Sequence, residues 1–332
     1  ARSDPGSLTV SVIVPVWNGA ATLGACLQAI QSQTVEPAPL EIIVVDDGSH
    51  DESSKVAAEY GVKVWRQPHA GAAAARNLGA QKAAGDLLLF TDADCEPLPD
   101  WIERMVQPFS DPRVAGVKGA YRTRQKALVA RFTQAEYEEK YARMERQATI
   151  DFVDTYAAAY RRRLFIEQGG FDPRFLLDED QEFSFRLSQA GYRLVFAPEA
   201  RVFHHHPNSA WRYARRKVGI GRWKVQVHLR YPQKAFHDSY TPWTQKTQLL
   251  LLPLLLIAAV AAPASWAPWP LFPTLLTLFL LTSLPLMARA AQQGISVLLC
   301  SPLLIALRAL ALDIGLLLGL WDLLHSKSRR QK

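Results

Sequence analysis

Cysteine is scarce in this sequence, and charge is nearly missing from one long part of it. The 332 residues contain three cysteines, Cys26, Cys95 and Cys300, with no CxxC or zinc-type spacing. This excludes a disulfide-rich secreted module and a structural zinc site, and we expect a reducing compartment. Residues 247–324 carry only four charged side chains, which excludes a fully soluble protein, and the 49% hydrophobic residues exclude a disordered one.

The charge-poor region has the composition of membrane-spanning helices, each of which needs about 20 predominantly apolar residues. We predict two spans, at residues 247–262 and 268–288. Residues 295–324 are too long for one perpendicular span and carry Arg308 and Asp313 near the middle. We therefore predict a hairpin of two short spans or a re-entrant pair for this segment.

The net charge of +7 is distributed unevenly along the chain. Residues 208–246 contain nine lysines and arginines and one aspartate, whereas residues 1–207 sum to −5. A nucleic-acid-binding protein would carry its basic surface on the folded module, so this pattern argues against nucleic acid as a partner. Basic residues mixed with tryptophan and tyrosine beside apolar spans are typical of the headgroup boundary of a membrane.

Three regions are predicted from these patterns: a folded domain over residues 1–207, basic amphipathic interfacial helices over 208–246, broken near Gly219-Ile-Gly221, and a transmembrane region with a basic tail over 247–332. The positive-inside rule places Lys246 and Arg289 on the cytosolic side together with the folded domain. The apolar run at residues 8–17 is too short for a signal peptide, so we expect none there.

The first region is predicted to be an α/β domain with a mostly parallel, Rossmann-like sheet. Apolar, β-branched runs at residues 8–17, 40–45, 62–65 and 86–90 alternate with helical patterns. Such alternation implies parallel strands whose ligands bind beyond their carboxyl ends.

Acidic residues follow two of these strands. Asp46 and Asp47 end one strand, and Asp92 and Asp94 follow another. Carboxylates at such positions also serve as helix N-caps, an alternative that stays open for Asp46 and Asp47. Mg²⁺ and Mn²⁺ bind to one or two carboxylates together with phosphate oxygens of a substrate, which the Asp92-x-Asp94 pair suits.

Several segments in order resemble the family 2 glycosyltransferases of GT-A fold. The similarity runs from about residue 8 to about residue 206, on Val14-Pro-Val-Trp-Asn18, Val45-Asp-Asp-Gly-Ser49, Gly71 to Gly79, Phe90-Thr-Asp-Ala-Asp-Cys95, Gly169-Gly-Phe-Asp172 and Glu179-Asp-x-Glu-Phe183. Members of this family are inverting enzymes that move a sugar from a nucleotide diphosphate to an acceptor.

The resemblance implies a donor site with a nucleotide-diphosphate sugar and Mn²⁺ or Mg²⁺. Its residues would be Pro15, Trp17 and Asn18 around the base, Asp47 as hydrogen-bond acceptor, Arg76 near the diphosphate, Asp92 as donor-site acid, and Asp94 and His204 at the metal. UDP is favoured over GDP. A surface arginine and a structural histidine cluster are the alternatives for Arg76 and His204.

The resemblance also implies Asp180 as the general base, with neighbouring carboxylates raising its pKa. The alternative is an acidic helix start stabilised by the helix dipole. On the acceptor side it implies Trp101, Arg161, Glu179, Arg222 and Trp223. Gly219 stands where processive relatives carry the glutamine of a Q-x-x-R-W motif, which favours a single transfer over polymer synthesis.

Together these observations predict a metal-assisted, inverting transfer of a sugar to a lipid or lipid-linked acceptor. The catalytic domain would lie on the cytoplasmic face of the cell membrane. A processive polysaccharide synthase and a non-catalytic, membrane-anchored protein that binds nucleotide sugars are the alternatives. Intact Asp92, Asp94 and Asp180 argue against the second, because a protein that only binds has no chemical need for them.

Overall fold

The computed structural model describes residues 8–34, 40–261 and 270–329, and the chain divides into two compact units. The first unit comprises residues 1–124 and 144–205, and the second comprises 125–143 and 206–332. The predicted boundary after residue 207 lies close to the break at 205. Residues 125–143, however, belong to the second unit, although the sequence analysis placed them in the first.

The first unit contains all eight strands of the described residues and six of their helices, numbered here in chain order through both units. The strands are β1 Val10–Val16, β2 Leu40–Asp46, β3 Lys63–Arg66, β4 Leu87–Phe90, β5 Cys95–Pro97, β6 Val114–Arg122, β7 Ala158–Arg161 and β8 Arg193–His204. The helices are α1 Ala20–Gln31, α2 Ser53–Glu59, α3 Ala72–Lys82, α4 Trp101–Val106, α6 Arg162–Glu167 and α7 Glu179–Gln189, with 3₁₀ turns at Gln107–Ser110 and Thr155–Ala157.

One sheet with the strand order β3-β2-β1-β4-β7-β6-β8-β5 runs through this unit. Strands β1 to β4 pair in parallel, as predicted, whereas β7 is antiparallel to both β4 and β6, and β5 is antiparallel to β8. The predicted α/β fold class is confirmed. Because β1, β2, β4 and β6 share one direction, their carboxyl ends lie together, and we call this side the carboxyl end of the sheet.

Helix α3 is held close to the sheet and fixes the position of α7. A Cβ on Gly79 would lie 2.5 Å from the Ile13 side chain, so only glycine permits this approach to β1. The Asn77 side chain donates to the Phe171 carbonyl at 2.7 Å and accepts from its N–H at 2.9 Å. These bonds fasten the turn before α7 to α3 and bring the start of α7 toward the carboxyl end.

The only regular secondary structure among the described residues of the second unit is helical. It contains α5 Leu128–Met144, α8 Ala210–Arg230, α9 Pro232–Phe236, α10 Trp243–Ala261, α11 Leu271–Gln292 and α12 Ile295–Arg329. Within these helices, Trp243–Ala261, Leu271–Gln292 and Ile295–His325 are long and apolar enough to cross a membrane. This composition fits the predicted membrane anchoring.

Helix α8 is continuous, so the predicted break near Gly219-Ile-Gly221 is wrong. Glycine serves a different purpose there, because a Cβ on Gly221 would overlap the carbonyl oxygen of Leu312 in α12. A Cβ on Gly315 would likewise overlap the carbonyl oxygen of Val218. The glycines therefore let two helix backbones touch.

Helix α12 is also continuous over 35 residues, and the predicted hairpin or re-entrant pair is wrong. Arg308 does not interrupt the helix because its guanidinium is 2% exposed and bonded to protein groups. It donates to Glu136 Oε1 at 2.9 Å and to Gln248 Oε1 at 2.7 Å. The charge that suggested a break is thus neutralised inside the helical unit.

Candidate active site

A cavity of about 460 Å³ opens at the carboxyl end of the sheet. The turn after β1, the end of β2, the start of α3 and the turn after β4 form its wall. Seven of the predicted donor-site residues line it: Pro15, Trp17, Asn18, Asp47, Arg76, Asp92 and Asp94. The parallel strands bring these residues together from positions almost 80 residues apart in the sequence.

An exposed aromatic pair forms one part of the cavity wall. The indole of Trp17 is 53% exposed and stacks on the His69 ring, with centroids 4.5 Å apart and planes 25° from parallel. Asn18, with φ of 51°, turns the chain here and accepts a hydrogen bond from the His50 N–H at 2.8 Å. Sequence reasoning missed His69, although it follows β3 and therefore lies at the same end of the sheet.

Asp47 holds the loop that follows β3. Its carboxylate accepts from the N–H groups of Ala70 and Gly71, each at 2.9 Å, and from Gln67 Nε2 at 2.7 Å. His69 Nδ1 lies 2.9 Å from Asp47 Oδ2. Asp47 therefore positions the loop that carries His69, in addition to its predicted role as an acceptor for the base.

Arg76 is buried rather than on a helix surface, which overturns that alternative. Its Nη2 donates to Asp92 Oδ1 at 2.6 Å and its Nη1 to Glu179 Oε1 at 2.7 Å. Burial disfavours the charged form, but the charges of Asp92 and Glu179 raise the pKa of Arg76 above its ordinary value. The guanidinium is thus a fixed cation that orients Asp92. Glu179, predicted on the acceptor side, contacts this arginine.

Asp94 and His204 come together as the metal prediction requires. Strand β5 pairs with β8 so that Cys95 faces His204, and this places Asp94 Oδ2 3.5 Å from His204 Nε2. Ligand atoms of Asp94, Cys95 and His204 all lie within 4.8 Å of one another. Burial, followed by the charges of Asp92 and Asp94, raises the pKa of the Cys95 thiol well above its ordinary value.

This donor set suits a hard divalent cation. Mn²⁺ and Mg²⁺ prefer oxygen and imidazole donors to a thiol, so the carboxylate of Asp94 and the imidazole of His204 are the donors that fit. The Asp94 side chain is 42% exposed and lines the cavity, which leaves room for phosphate oxygens on the same ion. His205 is exposed, and His206 bonds to Gln134, so the neighbouring histidines lie elsewhere.

Asp180 lies in the first turn of α7, two residues after Asp178, which adopts φ of 63°. Its Oδ2 accepts from the Thr155 N–H at 3.3 Å. Burial raises the pKa of Asp180 well above its ordinary value, and the charges of Glu179, Asp154 and Asp178 raise it further. The contribution of like charges was predicted from the sequence, but burial makes the larger contribution to the raised pKa of Asp180.

A buried ion pair near Asp180 was missed. Lys118 of β6 is 0% exposed and bonds to Asp154, and its Nζ also donates to the Tyr156 hydroxyl at 3.1 Å. The antiparallel course of β7 brings residues 154–156 to the carboxyl end. The sequence feature that could have indicated this pair is the single lysine within the buried strand Val114–Arg122.

The structure places two residues that were predicted on the acceptor side away from the cavity. Trp101, the first residue of α4, is 0% exposed and packs in the core. Arg161 faces Leu87 at the amino end of β4, which is the opposite end of the sheet from Asp92. Its guanidinium donates to the carbonyls of Phe109 and Val114 and stabilises the chain between α4 and β6.

Arg222 and Trp223 lie in the second unit, on α8. The Arg222 guanidinium forms a two-point ion pair with Asp322 of α12, with Nη2 2.8 Å from Oδ1. Trp223 is half-buried. Their role toward an acceptor stays a prediction.

Comparison with known proteins gives a consistent result. The model of the family described as Glycosyl transferase family 2 matches residues 11–169. The pre-mycofactocin glycosyltransferase of Mycobacterium tuberculosis is 30% identical over 243 residues, which cover 70% of this chain and 50% of that protein. The chain thus spans about half the length of this relative.

The O-antigen chain rhamnosyltransferase RfbN of Salmonella typhimurium is 30% identical over 216 residues, or 60% of this chain and 67% of that protein. Among solved structures, a mannosyltransferase from Pyrobaculum calidifontis in complex with GDP-Man and Mn²⁺ superposes with a TM-score of 0.60. It is 22% identical, and the match covers 96% of this chain and 89% of that one, which shows a shared fold. The chain is a glycosyltransferase and belongs to glycosyl transferase family 2.

Proposed function

We propose that this glycosyltransferase moves one sugar from a nucleoside-diphosphate sugar to a lipid or lipid-linked acceptor, with inversion at the anomeric carbon. The observation that carries the proposal is one cavity that is lined both by the Trp17–His69 stack and by Asp94, which lies beside His204. The base of a nucleotide sugar would stack on the aromatic pair. Its diphosphate would reach the divalent cation at Asp94 and His204.

The nucleoside would lie at the aromatic end of the cavity. The Trp17–His69 pair offers an exposed π-face, and base–aromatic stacking contributes about 1–3 kcal/mol. Asp47 holds the loop behind His69 and supplies a carboxylate that accepts only. A carboxylate at this place suits an N–H edge, which uracil and guanine both carry, so UDP and GDP both fit.

Asp94 and His204 would hold Mn²⁺ or Mg²⁺. The Pyrobaculum neighbour was solved in complex with Mn²⁺, which supports the kind of ion. The ion, when bound, neutralises charge on the departing nucleoside diphosphate. Arg76 has a different part from the predicted phosphate contact. Its guanidinium is bonded to two carboxylates, so it fixes Asp92 beside the ion site and holds Glu179 next to Asp180.

Asp180 would accept the proton of the acceptor hydroxyl as that oxygen attacks. A general base works best with a pKa near the working pH, and burial among carboxylates raises the pKa of Asp180 in that direction. The buried Lys118–Asp154 pair lies close enough to contribute to the field at Asp180. Backbone N–H groups of Thr155 and Gln181 orient its two oxygens.

A lipid acceptor is supported by the apolar helices of the second unit and by the likeness to an O-antigen rhamnosyltransferase. An anchored enzyme and an acceptor that share one membrane meet in two dimensions. Gly219 in place of the glutamine of processive relatives supports a single transfer. The catalytic domain would face the cytoplasm, where Lys246 and Arg289 also lie under the positive-inside rule.

The test replaces the proposed base. Asp180→Asn keeps the shape of the side chain, removes its basicity, and should lower turnover at least 100-fold. Binding of nucleoside diphosphate with Mn²⁺ should stay within about twofold. Asp178→Asn is the matched control, two residues away at the same helix start, and should keep most of the activity. Full turnover by Asp180→Asn would refute the assignment.

A further inference from the structure

Helix α12 is long and apolar enough to cross a membrane, but its contacts place it elsewhere. If α12 crossed, its 35 residues would extend about 52 Å at 1.5 Å per residue, more than the roughly 30 Å of hydrocarbon. Polar contacts near its beginning, its middle and its end show where it runs within the second unit.

The beginning of α12 lies against the charged helix α5. Gln293, two residues before α12, donates from Nε2 to Glu138 at 3.1 Å. Val297, Leu304 and Ile305 pack in one core cluster with α5. That helix carries six charged residues between 131 and 143, and the bilayer interior does not accept such a helix.

The middle of α12 lies at the polar end of α10. Arg308 donates to Gln248, which is five residues from the start of α10 at Trp243. Lys246, half a turn before Gln248, pairs with Asp238 at 2.7 Å and donates to the Phe236 carbonyl at 2.9 Å. A perpendicular α12 would carry Arg308 about 20 Å below Ile295, far from this polar layer.

The last part of α12 runs beside the basic helix α8. Tyr213 and Arg308 meet at Glu136, Gly221 meets Gly315, and Arg222 pairs with Asp322, so the two helices run in the same direction. Helix α8 carries seven lysines and arginines, and it ends six residues before Phe236, whose carbonyl Lys246 contacts. A helix with this many basic residues is expected at the level of the lipid headgroups. Because α12 packs along α8, it lies at the same level.

One face of α12 remains apolar and exposed from Leu303 to Leu324. Leu303, Leu310, Leu317 and Leu324 repeat every seven residues and are 76%, 41%, 67% and 68% exposed. The opposite face carries the contacts to α5, α8 and α10. A helix with one apolar face and one face bound to basic protein matches the geometry of an interfacial helix.

We propose that α12 lies in the plane of the membrane surface, with its leucine face on the acyl chains, and that only α10 and α11 cross. The basic residues of α8 then face anionic headgroups, which contribute about 1 kcal/mol of attraction per basic residue near the surface. Two crossings also return the basic tail after α12 to the side of Lys246 and Arg289. This inference does not depend on the chemistry of the active site.

Sided labelling of the full chain tests the number of crossings. In a Cys300→Ala background, single cysteines replace Glu52, Ser265 and Lys332, and a membrane-impermeant maleimide is added to sealed vesicles. We expect Glu52→Cys and Lys332→Cys to react from the same side and Ser265→Cys from the other. Modification of Lys332→Cys from the side of Ser265→Cys would overturn the proposal.

Depth measurements separate an in-plane helix from a tilted span. Spin labels on single cysteines at Leu303, Leu310, Leu317 and Leu324 should report equal depth, from relaxation by oxygen against a water-soluble nickel complex. Exposed positions Leu271, Leu278 and Leu284 on α11 are the matched control and should differ in depth. A depth that changes steadily from 303 to 324, as on α11, would contradict the in-plane helix.

Discussion

Replacing Trp17 tests the nucleotide end of the cavity with little risk to the fold. The indole is 53% exposed, so its removal leaves no buried void, and its main described contact is the stack on His69 at 4.5 Å. Base–aromatic stacking contributes about 1–3 kcal/mol, and each 1.4 kcal/mol is a factor of about ten. Trp17→Ala should therefore weaken binding of nucleoside diphosphate about 5- to 150-fold.

Titration calorimetry of the purified protein with UDP or GDP and Mn²⁺ measures this change directly. Trp17→Phe should recover most of the affinity because it keeps an aromatic face. Trp65→Ala is the matched control: this indole is 40% exposed, lies on β3 under the Lys82 ammonium, and does not line the cavity. An unchanged affinity in Trp17→Ala would refute the stacking site, as would an equal loss in Trp65→Ala.

Three further predictions follow from the site and from the second unit. Asp94→Ala or His204→Ala should raise the Mn²⁺ concentration for half-maximal activity at least tenfold, measured by titration after chelation. Burial and like charges raise the pKa of Asp180, so this base becomes protonated at a higher pH than an ordinary aspartate. The value of kcat/KM should therefore begin to fall at that higher pH as the solution is made more acidic. Asp154→Asn removes one of those negative charges and should move this limb to lower pH. Gly315→Leu should separate α8 from α12 and lower the melting temperature in detergent by several degrees, because its side chain would overlap Val218.

Each of these has an outcome that contradicts it. Turnover that survives chelation in the unaltered protein would show that the reaction does not need the metal ion. An acid limb that stays in place in Asp154→Asn would show that Asp180 does not set it. An unchanged melting temperature in Gly315→Leu would contradict close packing of α8 against α12, because a Cβ on Gly315 would overlap the carbonyl oxygen of Val218.

Local sequence patterns predicted which acidic residues lie around the cavity. A buried strand followed by an acidic turn defines position in a parallel sheet, so Asp47, Asp92 and Asp94 were placed at the correct end of their strands. These features depend on neighbours in sequence, which is why a single sequence reveals them.

Pairings between distant segments were not predictable in the same way. The stack of Trp17 on His69 depends on the β1–β2–β3 order, and the Lys118–Asp154 pair depends on the antiparallel course of β7. Arg161 was misplaced for the same reason, because strand direction decides which end of the sheet it occupies. Trp101 was misplaced because a tryptophan after an acidic turn suits the core as well as a binding surface.

The helical unit shows the limit most clearly. Arg308 and Asp313 suggested an interrupted segment, since charge disfavours a long apolar helix. The partner of Arg308 lies about 170 residues earlier in the chain, at Glu136, and Gly315 approaches Val218, about 100 residues earlier; these contacts keep α12 continuous. Helix α5 could not be assigned to this unit from its own mixed composition.

Product analysis distinguishes the transfer of one sugar to a lipid from polymer synthesis. The purified protein in lipid vesicles receives radiolabelled nucleoside-diphosphate sugars with Mn²⁺ and membrane lipid extract, and the products are separated by thin-layer chromatography. We expect one discrete labelled glycolipid, formed by the unaltered protein and by Asp178→Asn but not by Asp180→Asn. A ladder of labelled polymer would contradict the transfer of a single sugar. The same glycolipid from Asp180→Asn would contradict the assignment of Asp180 as the general base.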